Sequence, residues 1–291
     1  MQRKLIIIGL AVLGAAALAW WRPWAGGVPG DQDRETALVG EARQGGLSMA
    51  LPDAISDVPI IEAKRPGEPL VLIDPGHGGA DGGAVGQSGR AVEKNLTLAM
   101  ARQLRDRLAE MGRVRVALTR DDDSRLTLEQ RAAIARRIGA DLFVSIHMDS
   151  APNPAAAGVT IYSLADVAST EEAASLAEAE RERVGPVVSD GDDAVSALLT
   201  DLALRDQMEA SARFAKRFLR RAGTGVPLRP TPHQFANFHV LRRSQAPGVL
   251  VEAGYISNVG DEARLTSAEA RAPLVAALAD AIEADLAART R

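Results

Sequence analysis

The chain has 291 residues, 46% hydrophobic, 25% charged and only 3% aromatic, which suits one or two globular domains with a core of Val, Leu, Ile and Ala. A formal net charge of −4 excludes a broad nucleic-acid surface, which needs clustered Lys and Arg. The absence of cysteine excludes disulfides and thiolate metal sites, so any metal must be held by carboxylates and the four histidines.

In chain order, Gln2-Arg3-Lys4 is a short basic start to an apolar run over residues 5–21. Ala17-Leu18-Ala19 offers a small-x-small cleavage site. The run is about 17 residues, the lower edge of a bilayer span, and Trp20, Trp21 and Trp24 suit a membrane–water interface. A cleaved signal peptide and an uncleaved inner-membrane anchor both fit residues 1–21, and either exports the remainder. Residues 22–68, with Gly26-Gly27, Pro29-Gly30, Gly45-Gly46 and Pro66-Gly67, read as a linker with one short helix near residues 34–43.

From Pro69 the texture changes. Leu70-Val71-Leu72-Ile73 is apolar on both faces, as in a sheet covered by helices on either side, and runs into Asp74-Pro75-Gly76-His77. A Gly-rich loop over residues 78–89 follows. Glu93 then opens a helix with Leu96, Met100, Leu104 and Leu108 at helical spacing. Residues 114–118 predict a second strand, and residues 126–138 a helix stopped by Gly139. Leu142-Phe143-Val144-Ser145-Ile146 predicts a third strand ending in His147, and residues 159–162 a fourth. Residues 163–222 are Ala- and Glu-rich and helical in pattern, interrupted near Gly185-Pro186 and Asp190-Gly191. Their apolar stripe of Val195, Leu198, Leu199, Leu202 and Leu204 requires a surface to pack on. Phe238–241 and Val249-Leu250-Val251 read as further strands, the second ending at Glu252, and a helix over residues 268–287 closes the chain. Strands alternating with helices predict a single α/β domain over residues 69–291, whose site lies at the carboxyl ends of its strands.

His77, His147 and Glu252 each follow a buried apolar run, and Glu93 can return to the same rim from the start of its helix. Taken singly each has an ordinary structural role: a hydrogen-bonded histidine after a strand, a helix-start carboxylate favoured by the dipole, a loop charge paired with Arg. Together they supply a catalytic zinc set. His77, Glu93 and His147 are the candidate ligands, with a fourth position for water, and Glu252 is the candidate base that moves the proton. His233 and His239 are read as surface or core histidines.

The segments Ile73-Asp74-Pro75-Gly76-His77-Gly78-Gly79, Glu93-Lys94-Asn95-Leu96, Ser145-Ile146-His147 and Leu250-Val251-Glu252-Ala253-Gly254-Tyr255-Ile256-Ser257-Asn258 resemble, in this order, the N-acetylmuramoyl-L-alanine amidases of the cell-division type. The resemblance implies Zn2+ on His77, Glu93 and His147, with Glu252 as catalytic glutamate. It implies as substrate the peptidoglycan amide between N-acetylmuramic acid and L-alanine, in a twisted, mostly parallel sheet flanked by helices. It further implies a periplasmic enzyme of septal wall splitting, whose helical insertion over residues 163–222 covers the zinc until an activator protein binds. One of Glu178, Glu180 or Glu182 is then the expected cap on the metal. Two departures stand out. Met148-Asp149 replaces the small residue and Asn that commonly follow the second histidine. The space before residue 69 is read as too short for an added wall-binding domain. A zinc peptidase of the stem or cross-link, and a catalytically silent peptidoglycan-binding protein, are the alternatives, the latter opposed by the intact His77, Glu93, His147 and Glu252.

Overall fold

A computed structural model of the protein describes residues 57–183 and 194–289, with side chains for 57–183 and 201–289. The signal or anchor, most of the linker, and the interruptions at Gly185-Pro186 and Asp190-Gly191 lie outside these described residues, as do the side chains of Val195, Leu198 and Leu199 of the stripe. Among the described residues no helix is long and apolar enough to cross a membrane.

Seven strands form one sheet: β1 (Ile60–Ile61), β2 (Leu70–Pro75), β3 (Arg115–Leu118), β4 (Leu142–Asp149), β5 (Val159–Leu164), β6 (Leu228–Ala236) and β7 (Gly248–Tyr255). Their order is β1-β3-β2-β4-β7-β5-β6. The pairs β2/β3, β2/β4, β4/β7 and β5/β6 are parallel, whereas β1/β3 and β5/β7 are antiparallel. This is the expected α/β class, a mixed sheet flanked by helices.

The helices are α1 (Glu93–Met111), α2 (Leu128–Ile138), α3 (Glu171–Glu182), α4 (Ala194–Ala222), α5 (His239–Ser244), α6 (Val259–Thr266) and α7 (Ala268–Arg289). One sheet face, with Val71, Ile73, Val144, Ile146, Val249 and Val251, packs against α1, α7 and the C-terminal half of α4. The other, with Leu72, Phe143, Tyr162 and Leu250, packs against α2, α5 and α3. Burial on both faces is the reason Leu70 through Ile73 are all fully excluded from solvent, and why that strand shows no polar alternation.

Several boundaries differ from the sequence expectation. Ile60 and Ile61, inside the expected linker, pair with Ala117 and Val116 as an edge strand. The second helix begins at Leu128 rather than at 126, because Thr127 is its N-cap and forms a reciprocal capping box with Gln130. Residues 238–241 are not a strand. Phe238 caps α5, and the strand lies upstream at Leu228–Ala236, where Pro230 and Pro232 interrupt the pattern. Proline lacks an N–H and is tolerated at a sheet edge, which is where β6 sits. The helical segment is also not one excursion: Ser163 and Leu164 belong to β5, while Phe214, Ala215 and Phe218 of α4 are core residues. Of the expected stripe, Leu202 is 51% exposed, and Leu204 packs at the margin of the second core.

Candidate metal centre

Because β2, β4 and β7 run parallel, their carboxyl ends share one rim. His147 of β4 stands directly beside Glu252 of β7 in the register, and His77 follows β2 by two residues. Glu93 opens α1 and returns to this rim. Its Oε1 lies 3.0 Å from His77 Nε2 and 3.1 Å from His147 Nδ1. One ligand atom from each of the three residues lies within 4.8 Å of the others. Zinc ligands at about 2.0–2.1 Å and tetrahedral angles would stand about 3.3 Å apart, so these spacings fit a metal set.

The hydrogen bonds around the three residues agree. His77 Nδ1 lies 2.9 Å from Asp81 Oδ1, which it meets as a donor, and this leaves Nε2 as the ring atom that faces the Glu93 carboxylate. Such a contact is bridged by a proton on the ring or by a metal cation. Glu93 is itself held by backbone donors, Met148 N to Oε1 at 3.0 Å and Ala84 N to Oε2 at 2.8 Å. Burial opposes its charge, but His147 and His77 outweigh burial and keep its pKa far below the usual carboxylate range. Burial holds the His147 pKa down, favouring the neutral ring that a metal requires. For His77 burial acts the same way, but Glu93 and Asp81 more than reverse it.

The local backbone makes this approach feasible. His77 adopts φ 61°, a left-handed conformation uncommon for a residue with a side chain. Buried Arg131 from α2 secures it. Its Nη2 donates to His77 O at 2.6 Å, while Nη1 donates to Asp74 Oδ1 at 2.6 Å and Pro75 O at 2.7 Å. Asp74 also accepts from Thr119 Oγ1 at 2.7 Å and Ser145 Oγ at 2.9 Å. A methyl group at Gly76 would overlap the His147 ring, so only glycine fits there. Sequence reasoning passed over Asp81 and Arg131. Asp81 carried one usable signal, its position four residues after His77; Arg131 carried none, because its partners are distant in the chain.

Glu252 is 3% exposed and faces the same cavity, of about 510 Å³, that the three candidate ligands line. Burial, with the negative charges of Asp149, Glu93 and Glu172, pushes its pKa well above the ordinary carboxylate value. A carboxyl shifted in this direction holds a proton more readily than an ordinary one, as an acid–base group must. Asp149 lines the cavity as well, and burial raises its pKa. Leu176, Ala179, Glu180 and Arg183, from α3 and its C-cap, form another wall. None of the expected capping carboxylates belongs to the ligand cluster. Glu178 pairs with Arg181, and Glu182 is exposed. Glu180 accepts from His239 N at 2.5 Å and Val240 N at 3.2 Å, since the free amides opening α5 are the nearer donors. His233 bonds Ser163 Oγ and His239 bonds Glu129, and neither belongs to the candidate ligand cluster. Among the described residues, a cavity of about 610 Å³ at the opposite strand ends, lined by Arg65, Arg113 and Glu283, contains no such ligand set.

Residues 71–284 match the family model described as N-acetylmuramoyl-L-alanine amidase. The chain belongs to this family. Among relatives of the amidase, AmiC of Escherichia coli O6:H1 is 34% identical over 240 residues, covering 81% of this chain and 57% of AmiC. AmiA of Escherichia coli K12 is 35% identical over 223 residues, covering 75% of this chain and 76% of AmiA. The solved structure of the amidase AmiC2 of Nostoc punctiforme superimposes with a TM-score of 0.57 at 28% identity, covering 77% of this chain and 99% of that one.

Proposed function

We propose that this amidase hydrolyses the amide between N-acetylmuramic acid and L-alanine with a zinc ion held by His77 Nε2, Glu93 Oε1 and His147 Nδ1. The observation that carries the reading is the convergence of these three atoms beside the buried carboxylate of Glu252. Bound zinc supplies Lewis acidity, acidifying water and polarising a carbonyl. The protein's own groups do the rest. Asp81 fixes the tautomer and orientation of His77. Glu252 takes a proton from the attacking water as its oxygen bonds to the lactyl carbonyl carbon. It returns that proton to the nitrogen of L-alanine as the C–N bond breaks.

The proposal extends to regulation and place. In this reading the amidase is autoinhibited by occlusion, which the placing of α3 residues Leu176, Ala179 and Glu180 along the cavity supports, with Glu180 bonded to the first amides of α5. A protein partner that lifts α3 is the activator. Residues 1–21 act as signal peptide or inner-membrane anchor, followed by a linker, so the catalytic domain works in the periplasm on septal peptidoglycan. The pairing of Ile60 and Ile61 with β3 supports counting β1 with the catalytic domain.

Dye release from labelled peptidoglycan by the purified chain tests the chemistry. Activity is expected to vanish with chelator, return with zinc, and be absent in Glu252→Gln. Mass analysis is expected to find free stem peptides beginning at L-alanine; fragments cut within the stem would instead show a peptidase. Deleting residues 169–201 is expected to raise basal activity, and a folded deletion variant no more active than the parent would refute occlusion.

A further inference from the structure

Among the described residues, three buried side-chain oxygens without a hydrogen-bond partner belong to neighbouring positions of the β5/β7 ladder: Thr160 Oγ1, Tyr162 OH and Glu252 Oε2. Thr160 pairs directly with Glu252 across the antiparallel β5/β7 ladder, and Tyr162 pairs with Leu250. Side chains directly opposite in such a ladder lie about 4.5–5.5 Å apart at Cβ, and diagonal neighbours remain within reach of an aromatic. All three residues therefore occupy one face of the sheet, the face that carries His147. Thr160 and Tyr162 are fully buried, and the Tyr162 ring is packed edge-on against Phe238.

Burying one hydroxyl without a partner is costly, and burying two beside an unpartnered carboxylate oxygen is costlier still. Valine and phenylalanine would fill the same volumes at no such cost. A single water in a buried site takes two to four polar partners, and the pairing of β5 with β7 brings three unpartnered oxygens to this part of the sheet. Hydroxyls and water each donate or accept by rotation, whereas an ionised carboxylate only accepts and a protonated one also donates. The cluster can therefore serve Glu252 in both states that its proton transfer requires.

We propose that Thr160 and Tyr162 are positioning residues for Glu252, their hydroxyls holding Oε2 through one bridging water so that Oε1 addresses the cleft. This rests on Glu252 acting as the acid–base of the amidase. The hydroxyls touch no substrate; they fix the rotamer from which Oε1 takes the proton of the attacking water and hands it to the leaving nitrogen.

The test uses the full chain loaded with zinc and the variants Thr160→Val, Thr160→Ser and Tyr162→Phe, with Glu252→Gln as reference. On a soluble muropeptide, Thr160→Val and Tyr162→Phe are expected to lower kcat about tenfold or more with KM unchanged, as misplacement of a reacting group does. Thr160→Ser, which keeps the hydroxyl, is expected to restore the parent rate. Thermal unfolding supplies a readout independent of turnover. Thr160→Val and Tyr162→Phe are each expected to lower Tm by roughly 2–4 °C, and less in the Glu252→Gln background, because the network is shared. Unchanged kcat with a Tm that holds or rises would overturn the proposal, since removing a truly isolated hydroxyl is neutral or stabilising. Strictly additive Tm shifts would overturn it too. If the parent chain fails to cleave the amide, the amidase reading fails by that result alone, and the Tm cycle still decides whether the three groups are joined.

Discussion

At the scale of single residues the centre depends on close approaches that tolerate little change. Gly76 lies against the His147 ring, so Gly76→Ala must push that ring from its place. Overpacking of this kind costs about 1–3 kcal/mol, but the larger consequence is expected in the ligand set. Zinc content of the purified variant should fall well below one equivalent, and elemental analysis measures it directly; a full equivalent would show that the ring has room to move. Arg131 is the second such point. Its guanidinium joins Asp74 to the carbonyls of Pro75 and His77 inside the protein. Removing one partner of a buried ion pair strands the other charge and costs roughly 3–5 kcal/mol. Arg131→Met is therefore expected to lower the urea midpoint strongly, and to cost activity as His77 leaves its left-handed conformation. His77, Glu93, His147 and Glu252 were legible as candidates because each follows an apolar run or opens a helix, although β4 and β7 continue past His147 and Glu252. Arg131 was not, for nothing in its local sequence separates it from the other arginines of α2.

At the scale of elements, α3 is the piece whose docking is chemically conditional. Glu180 is its buried charged residue, and burial raises its pKa to about 7, with the nearby Asp74 charge adding to the rise. The α5 amides and Arg183 act in the opposite direction and do not cancel it. A carboxyl whose folded pKa lies above its unfolded value near 4.5 gives stability that is fully present below the unfolded value. That stability is lost as pH rises through the folded one. Helix α3 should therefore loosen between about pH 5 and pH 8. Hydrogen exchange at its amides, corrected for the intrinsic pH dependence, is expected to speed up over this range in the parent and not in Glu180→Gln; equal profiles would refute it. Short apolar runs were the elements that sequence reading mistook. Phe238 through Leu241 suit a strand or a buried helix equally well by composition. What decided for helix α5 was the Glu180 carboxylate meeting its first amides.

For the whole molecule, the pairing of Asp74 with Arg131 sets an acid limit. Burial raises the Asp74 pKa, but Arg131 and the Thr119 hydroxyl more than reverse it, leaving it below the ordinary value of 3.8. The sign is then opposite to that of Glu180. The stabilisation is present above the unfolded pKa and is lost as pH falls through about 4 towards the folded value. Because Asp74 sits on β2 and is bonded to Thr119 just after β3, to Ser145 of β4 and to Arg131 of α2, losing its charge weakens the sheet as a unit. Urea unfolding followed from pH 7 to pH 3 is expected to show the midpoint falling below about pH 4, with a shallower fall in Asp74→Asn. An equal slope in both proteins would place the acid limit elsewhere.

The sequence by itself determined the α/β class, the buried central strands, the start of α1 at Glu93 and the four residues of the candidate centre. These are properties that local patterning carries: apolar runs without alternation, helical spacing, and reactive side chains placed where strands end. The tertiary structure alone decided the edge strands β1 and β6, the helical state of α5, and the division of α4 between core and surface. It also brought Arg131 to His77, turned Glu180 to α5 and set Thr160 opposite Glu252. The physical reason is common to these cases. Each depends on which groups far apart in the chain satisfy one another's hydrogen bonds, and such pairings exist only once the sheet order is formed.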